Sequence, residues 1–422
     1  MQKALVIGLG ISGRASCQLL LKMGYEVVAV DNKEIDGLSS DVEFYNEDSS
    51  IHLPGFHLVI VSPGVSPAHP LYRQAIQQAI PIMGEAQIAL SQLSQTTIGI
   101  TGTNGKTTVT SLVTHCLVSS GYKAVSIGNI GDPISLYALK PNPEEVLVVE
   151  LSSYQLETMQ GRLLDAAVIL NITPDHLERY DTMNDYARAK WRIQYCLKNG
   201  GPLFVFDEVV EEFGHLDQKK STIAYSPNQS IALKGSKGYK KNRNHDQENA
   251  LAAWLLVKTF GISEEQFLQA LSTFKKPAHR IEHIGTIGGV RYYDDSKGTN
   301  LDAVIRAVES MKGLVWLIAG GVDKGASYAL WKQPFAGKVK KIFAIGQAKR
   351  KIAQEVNGFC LVEELDSLEQ AVRRASQEAG PDDNILLSPG CSSFDMFRDY
   401  AHRGEEFQSL VRRLELERRE SL

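Results

Sequence analysis

Cysteine is scarce in this chain and follows no pattern. Five cysteines (Cys17, Cys116, Cys196, Cys360 and Cys391) are scattered over 422 residues, with no C-x-x-C pair among them. That excludes a disulfide-stapled scaffold and structural zinc, and it suits a reducing compartment. Positive charge is not in excess. The 45 Lys and Arg against 49 Asp and Glu leave a net charge of −4, which gives nucleic acid no general attraction. No apolar run approaches the length of a membrane span. The first residues run directly into an apolar strand, without the basic start and cleavage site of a signal peptide. A soluble, cytoplasmic, monomeric protein with neither nucleic-acid nor membrane partners is expected. Hydrophobic residues make up 43%, and the length corresponds to nearly three domains at about 150 residues each.

Residues 96–112 organise the rest. Residues 98–101 form a short apolar strand, Gly102-Thr103-Asn104-Gly105 a tight loop, and residues 106–119 carry apolar side chains at helical spacing. Strand, glycine loop and helix in that order make an anion site. Glycines let backbone N–H groups turn inward, and the helix N-terminus adds the positive end of its dipole. Lys106 offers a point charge for outer phosphates, and the hydroxyl of Thr107 or Thr108 can ligate Mg²⁺. The strict eight-residue phosphate-loop pattern fails because Ile100 stands at its first glycine. The shorter Gly-Thr-Asn-Gly-Lys-Thr run still reads as a nucleoside-triphosphate site.

Two other α/β units flank this one. Residues 3–8 are a strand, followed by Gly8-x-Gly10-x-x-Gly13, a helix to about Met23, and a second strand ending at Asp31. This is the dinucleotide-binding fingerprint with its acidic residue, which alone does not say which nucleotide sits there, or whether one does. A further strand runs into Ser62-Pro63-Gly64-Val65. In the middle region, Gly128-Asn129-Ile130-Gly131 is another tight loop, and an apolar strand delivers Glu150 at its carboxyl end, placed to hold Mg²⁺. The strand at 166–170 leads to Asp175-His176, at what should be the same rim. A helix over 184–197 holds Lys190, which nothing local separates from a solvated surface charge. The basic run at 234–243 reads as a solvated loop. Domain boundaries fall near 92 and 277, dividing the chain into 1–91, 92–276 and 277–422. The last unit has strands near 282–287, 290–293, 314–319, 341–345 and 384–387, then a long charged helix. Three such units suit ATP-driven condensation, in which a carboxylate is activated as an acyl phosphate and an amine attacks it. The first fingerprint with Asp31 motivates a rival reading, a nicotinamide oxidoreductase, which would leave the phosphate loop without a use.

The runs Gly-Ile-Thr-Gly-Thr-Asn-Gly-Lys-Thr-Thr (99–108), Glu-Leu-Ser-Ser-Tyr-Gln-Leu-Glu (150–157), Asn-Ile-Thr-Pro-Asp-His-Leu-Glu-Arg-Tyr (171–180), His279-Arg280, Asp-Asp-Ser-Lys-Gly-Thr-Asn (294–300) and Gly-Gly-Val-Asp-Lys-Gly (320–325) resemble the Mur ligases. The similarity spans essentially the whole chain. The Ser-Ser-Tyr-Gln-Leu-Glu run and the Ser-Pro-Gly-Val turn look most like the branch that adds D-glutamate. The Asp-Asn-Pro-Arg run of the diaminopimelate-adding branch is absent, and folylpolyglutamate synthetase is similar only across the ATP and last domains.

The resemblance implies a three-domain α/β architecture. A Rossmann-like first domain would bind UDP, a phosphate-loop middle domain ATP, and a Rossmann-like last domain the amino acid. The implied activity is ATP-dependent addition of D-glutamate to UDP-N-acetylmuramoyl-L-alanine for peptidoglycan precursors, with two Mg²⁺ ions. By the same resemblance Lys106 and Thr107 would hold the phosphates, Glu150 one Mg²⁺, and His176 a second. Lys190 would be carbamylated in support of that second metal, and Asn129 would lie near the phosphates and acyl group. Asn249, Arg280 and Asp295 match ATP-binding positions. Lys297, Thr299, Lys324, Ser393 and Phe394 match the D-glutamate region. Gly10, Ile11, Ser12, Gly13, Asp31, Asn32, Ser62, Gly64, Asn129 and Ser152 would line the UDP-substrate site. Because Arg280 and Asp295 lie beyond the second boundary, closure of the last domain over ATP is expected. The chain departs from the family pattern at Asp246, where asparagine is usual, and at Tyr400, where phenylalanine is common. Residues 207–244 match poorly, and no site is assigned there.

Overall fold

A computed structural model describes residues 2–33, 37–47, 51–220, 222–226 and 245–420. The basic run at 234–243 lies outside these residues, as does the side chain of His245. Each of three sheets is built around central strands that are short apolar runs buried on both faces, as parallel strands require. The first contains β1 (Lys3–Ile7), β2 (Glu26–Asp31), β3 (Val42–Asn46), β4 (Leu58–Val61) and β5 (Ile82–Gly84), all parallel in the order β3-β2-β1-β4-β5. Alternation along β1 sends Ala4 and Val6 into one core layer and Leu5 and Ile7 into the other.

The second sheet contains β6 (Thr97–Thr101), β7 (Ala124–Gly128), β8 (Val146–Glu150), β9 (Ala166–Ile169), β10 (Leu203–Phe206) and β11 (Thr222–Tyr225). Its order is β11-β10-β9-β6-β8-β7, again parallel. Since β6 lies between β8 and β9, the segments leaving these three strands emerge side by side at one carboxyl edge, where open α/β sheets bind ligands. The third sheet, ordered β12-β13-β17-β14-β15-β16, comprises β12 (Glu282–Ile287), β13 (Val290–Asp294), β14 (Val315–Gly320), β15 (Val339–Ile345), β16 (Leu361–Glu364) and β17 (Asn384–Leu387). Only its β12/β13 hairpin is antiparallel. Gly288 and Gly289 supply the two positive-φ positions that the tight turn demands.

Packing divides the chain into two units, residues 1–172 with 184–275, and residues 173–183 with 276–422. The first two sheets share a unit because helices Ile11–Lys22 and Glu85–Leu90 pack on helix Ile134–Leu139. Residues 173–183 leave the sheet that precedes them and pack with the last unit instead. The helix expected over 184–197 is shorter, Met183–Trp191, and continues as a 3₁₀ turn, Arg192–Cys196. Strands β3, β5, β7 and β16 were not legible in the sequence. β3 and β16 are edge strands with largely exposed or half-buried residues, β5 has three residues, and β7 is half-buried and small-residued. No helix among the described residues is long and apolar enough to cross a membrane.

Candidate functional site

The loop after β6 is shaped by Gly105, whose φ of +87° is left-handed and which caps helix Lys106–Ser119. A Cβ there would collide with the side-chain amide of Asn249, so the loop and helix His245–Lys258 meet at backbone distance. Asn171, beyond β9, braces the loop from the other side. Its Oδ1 accepts from Asn104 N–H (2.8 Å), its Nδ2 donates to the Asn104 carbonyl (2.9 Å), and its own carbonyl accepts from Thr103 N–H (2.8 Å). The sequence placed Asn171 in a motif but gave it no role. Thr103 Oγ1 also lies 3.2 Å from the Tyr186 hydroxyl. Thr107 and Thr108 are buried.

Two ammonium groups converge on one carbonyl. Lys106 Nζ donates to the Gly102 and Thr103 carbonyls (2.9 and 2.8 Å), and Lys190 Nζ donates to the same Gly102 carbonyl (2.9 Å). Lys190 is 1% exposed and sits 4.5 Å above the centre of the Tyr186 ring. The surface reading that its local sequence allowed is therefore wrong. Like charges held this close favour an anion beside them or neutralisation of one member.

Glu150, at the end of β8, is buried. Its Oε1 accepts from Asn129 Nδ2 (2.8 Å), and its backbone carbonyl accepts from Asn129 N–H (2.9 Å). Its Oε2 is buried without a hydrogen-bond partner among the described residues. A buried carboxylate oxygen lacking a donor is a fitting ligand for a hard cation. Ser152 caps the short helix Ser153–Leu156 in a reciprocal capping box with Gln155.

The first sheet presents a comparable edge. A Cβ on Gly13 would overlap the Gly8 carbonyl, so only glycine lets helix Ile11–Lys22 lie this close to β1. Asp31 Oδ2 accepts from Leu9 N–H (2.5 Å), and Ser62 Oγ donates to the Gly8 carbonyl (2.7 Å). These two side chains hold the glycine turn, while Gly10, Ile11, Asn32 and Gly64 are exposed around it and Ser12 is half-buried.

In the last unit, Asp175 is buried and gathers several groups. Its carboxylate accepts from Lys324 Nζ (3.1 Å), Asn300 Nδ2 (3.3 Å) and His176 N–H (3.0 Å). His176 has a positive φ of 57°, and its Nδ1 lies 3.2 Å from Glu178 Oε1. The segment that carries His176, which the sequence expected at a strand's carboxyl rim, packs with Lys324 and Asn300 of its own unit.

Asp295 is buried, with Ser388 Oγ donating to Oδ2 (2.7 Å) and Ile281 N–H to Oδ1 (3.3 Å). Burial pushes its pKa up to about 7, against the opposing pull of Ser388 and Arg280. Arg280 is half-buried, and its Nε is buried without a hydrogen-bond partner among the described residues. His279 Nδ1 lies 2.7 Å from Asp294 Oδ2, and that hydrogen bond raises the imidazole pKa against its partial burial. Lys297 Nζ stands 4.8 Å over the Tyr400 ring, giving the tyrosine a contact that the sequence left open. Thr299 is half-buried, Ser393 is buried and Phe394 is 74% exposed. Sequence reasoning missed Arg403, which is 1% exposed. Its guanidinium donates to Ser296 Oγ (3.0 Å), the Ser296 carbonyl (2.8 Å) and the Cys391 carbonyl (3.2 and 3.3 Å). It ties the loop after β13 to the loop after β17, and burial lowers its pKa to about 10.

Comparison with known proteins gives the following. Residues 2–84 match the family model described as Mur ligase MurD-like, N-terminal domain, residues 100–261 the Mur ligase middle domain, and residues 279–391 the Mur ligase, glutamate ligase domain. A UDP-N-acetylmuramoylalanine–D-glutamate ligase of Protochlamydia amoebophila is 47% identical, over 98% of this chain and 98% of its own. One from Caldanaerobacter subterraneus is 36% identical over 97% and 98%. Among solved structures, MurF ligase from Thermotoga maritima in complex with ADP is similar at a TM-score of 0.61 and 16% identity, covering 99% of this chain and 96% of that one. MurC from the same organism is similar at 0.55 and 18% identity, covering 98% and 99%.

Proposed function

Because this chain belongs to the Mur ligase family, we propose that it couples ATP cleavage to addition of D-glutamate to UDP-N-acetylmuramoyl-L-alanine, a step of peptidoglycan precursor synthesis. The observation that carries the chemistry is the carboxyl edge of the second sheet. There a glycine loop, two converging lysines and a buried carboxylate, one oxygen of which has no hydrogen-bond partner among the described residues, lie side by side. ATP phosphates rest on Gly102, Thr103, Asn104 and Gly105 with Lys106 as counter-charge, and Asn249 stands against the same loop. Glu150 and Thr107 fit one Mg²⁺, and His176 is assigned to a second. Mg²⁺ bound there supplies charge neutralisation for phosphoryl transfer. As its carbamate, Lys190 becomes an anion, which removes the like-charge pair at the Gly102 carbonyl.

The γ-phosphoryl group passes to the muramoyl-alanine carboxylate. The amine of D-glutamate then attacks the acyl phosphate, forming the amide and releasing phosphate. Residues 1–91 bind the UDP moiety, with Gly10, Ile11, Ser12, Gly13, Asp31, Asn32, Ser62 and Gly64 at that edge. Residues 92–276 bind ATP, with Asn129 and Ser152 toward the acyl group. Residues 277–422 receive the amino acid through Lys297, Thr299, Lys324, Ser393 and Phe394, with Arg280 and Asp295 serving ATP. The reaction is assigned to a cytoplasmic monomer, in keeping with cysteines that are all unpaired. The test is phosphate release from ATP across a matrix of UDP-sugar peptides and amino acids. Release that requires UDP-N-acetylmuramoyl-L-alanine and D-glutamate together supports the assignment. Dependence on another pair points to a different ligase of the family, and release without an acceptor refutes ligation.

A further inference from the structure

Glu85 belongs to no site described so far, yet it is 1% exposed. It opens helix Glu85–Leu90 directly after β5. Its Oε1 accepts the N–H of Ser135 (2.6 Å), in the first turn of helix Ile134–Leu139. That helix begins immediately after loop 128–133, which carries Asn129, and Asn129 in turn grips the Glu150 carboxylate (2.8 Å). At the other end of the same helix, Lys22 Nζ donates to the Leu139 carbonyl (2.7 Å) and the Ala138 carbonyl (3.5 Å). The two groups come from the first sheet's helices, and each sits at the end of the helix dipole that favours its sign. The neighbouring backbone is equally close. A Cβ on Gly84 would overlap Thr158 Oγ1, so β5 abuts the turn that follows Ser152. Burying a carboxylate at this joint is costly, since Glu85 Oε2 meets no hydrogen-bond partner among the described residues and only the Ser135 and Ile134 groups at the start of the helix favour its ionised form. Burial accordingly raises the Glu85 pKa.

We propose that Glu85 is a positioning residue for the ligation reaction, fixing the Asn129 loop, and through it the Glu150 carboxylate, from the nucleotide-substrate domain. Glu85 touches neither reactant and acts through Ser135 and Asn129. The inference rests on the proposed roles of Asn129 and Glu150, and its first readout is independent of them.

The experiment compares full-length wild type with E85A, E85D, E85Q and K22A. It measures amide hydrogen exchange over 128–135, melting temperature, and kcat and KM for the UDP-substrate and D-glutamate. E85A should speed exchange in that loop and lower kcat about tenfold, a loss typical of an outer-shell partner, with KM for D-glutamate unchanged. E85Q keeps an acceptor oxygen for Ser135 N–H and should stay within about twofold of wild type. E85D, one methylene shorter, should fall between them and serves if E85A does not fold. K22A loosens the helix at the end remote from the loop, so it should lower the melting temperature and leave loop exchange and kcat alone. If E85A or E85D lowers the melting temperature with loop exchange and kcat as in wild type, the positioning role is overturned. Faster loop exchange in a protein that shows no ligation with any substrate pair would keep the mechanical link and refute the ligation reading instead.

Discussion

Replacing Asp295 by asparagine should give the last unit a stability advantage over wild type that grows as pH rises, and should weaken ATP binding if Asp295 serves ATP as proposed. The carboxyl group is buried, and its pKa moves from 3.8 to about 7. A displacement of about three units corresponds to about 4 kcal/mol between the protonated and ionised forms, at roughly 1.4 kcal/mol per unit. The folded state holds this proton more tightly than the unfolded chain. Its stabilising effect is therefore complete below pH 3.8 and is lost as pH rises toward 7. Asparagine keeps the shape and carries no charge. Its Oδ1 can still accept from Ile281 N–H, and its Nδ2 can donate to Ser388 Oγ once that hydroxyl turns to accept. The advantage of D295N over wild type should therefore grow between pH 4 and pH 7 and then level off, having risen by about 4 kcal/mol. Urea unfolding of both proteins at pH 5, 6, 7 and 8 reads this directly. If Asp295 serves ATP as proposed, ATP titration of the same samples should show weaker binding by the variant, a trade of function for stability. Parallel stability profiles for the two proteins, or a variant less stable than wild type at pH 8, would refute the reasoning.

If Lys190 carries the proposed carbamate, Lys190→Ala should have low activity that short-chain carboxylic acids partly restore, since they would replace its anion. Full activity without such acids removes that idea. Arg403→Met leaves the Ser296 and Cys391 carbonyls and Ser296 Oγ without their buried donor, which should cost about 3 kcal/mol or more and lower the melting temperature accordingly. The His279–Asp294 hydrogen bond raises the imidazole pKa above 6.5, so its contribution is complete below that pH and is lost as pH rises through the raised value. Asparagine tolerates the positive φ at this position, and H279N should flatten that part of the unfolding profile.

The amino-acid sequence by itself determined the kind of elements present and the chemistry at their ends. Glycine runs after apolar strands marked the turns, and the phosphate loop could be read as strand, loop and helix because all of its residues are neighbours in the chain. Glu150 was legible for the same reason, as the residue that ends an apolar run. Tertiary structure decided which side chains from distant segments meet. Lys190 looks like any surface lysine until helix Met183–Trp191 brings it 88 residues back to the Gly102 carbonyl. Asn171 faces the loop because β9 happens to pair with β6, and strand order is not written in any local period. Asp175 reaches Lys324 across 149 residues, and Arg403 reaches Ser296 across 107. Periodicity reports which face of an element is buried, but the partner on the other side is set by how sheets and helices pack. That is why the phosphate loop could be read from its own residues, while the groups that brace it could not.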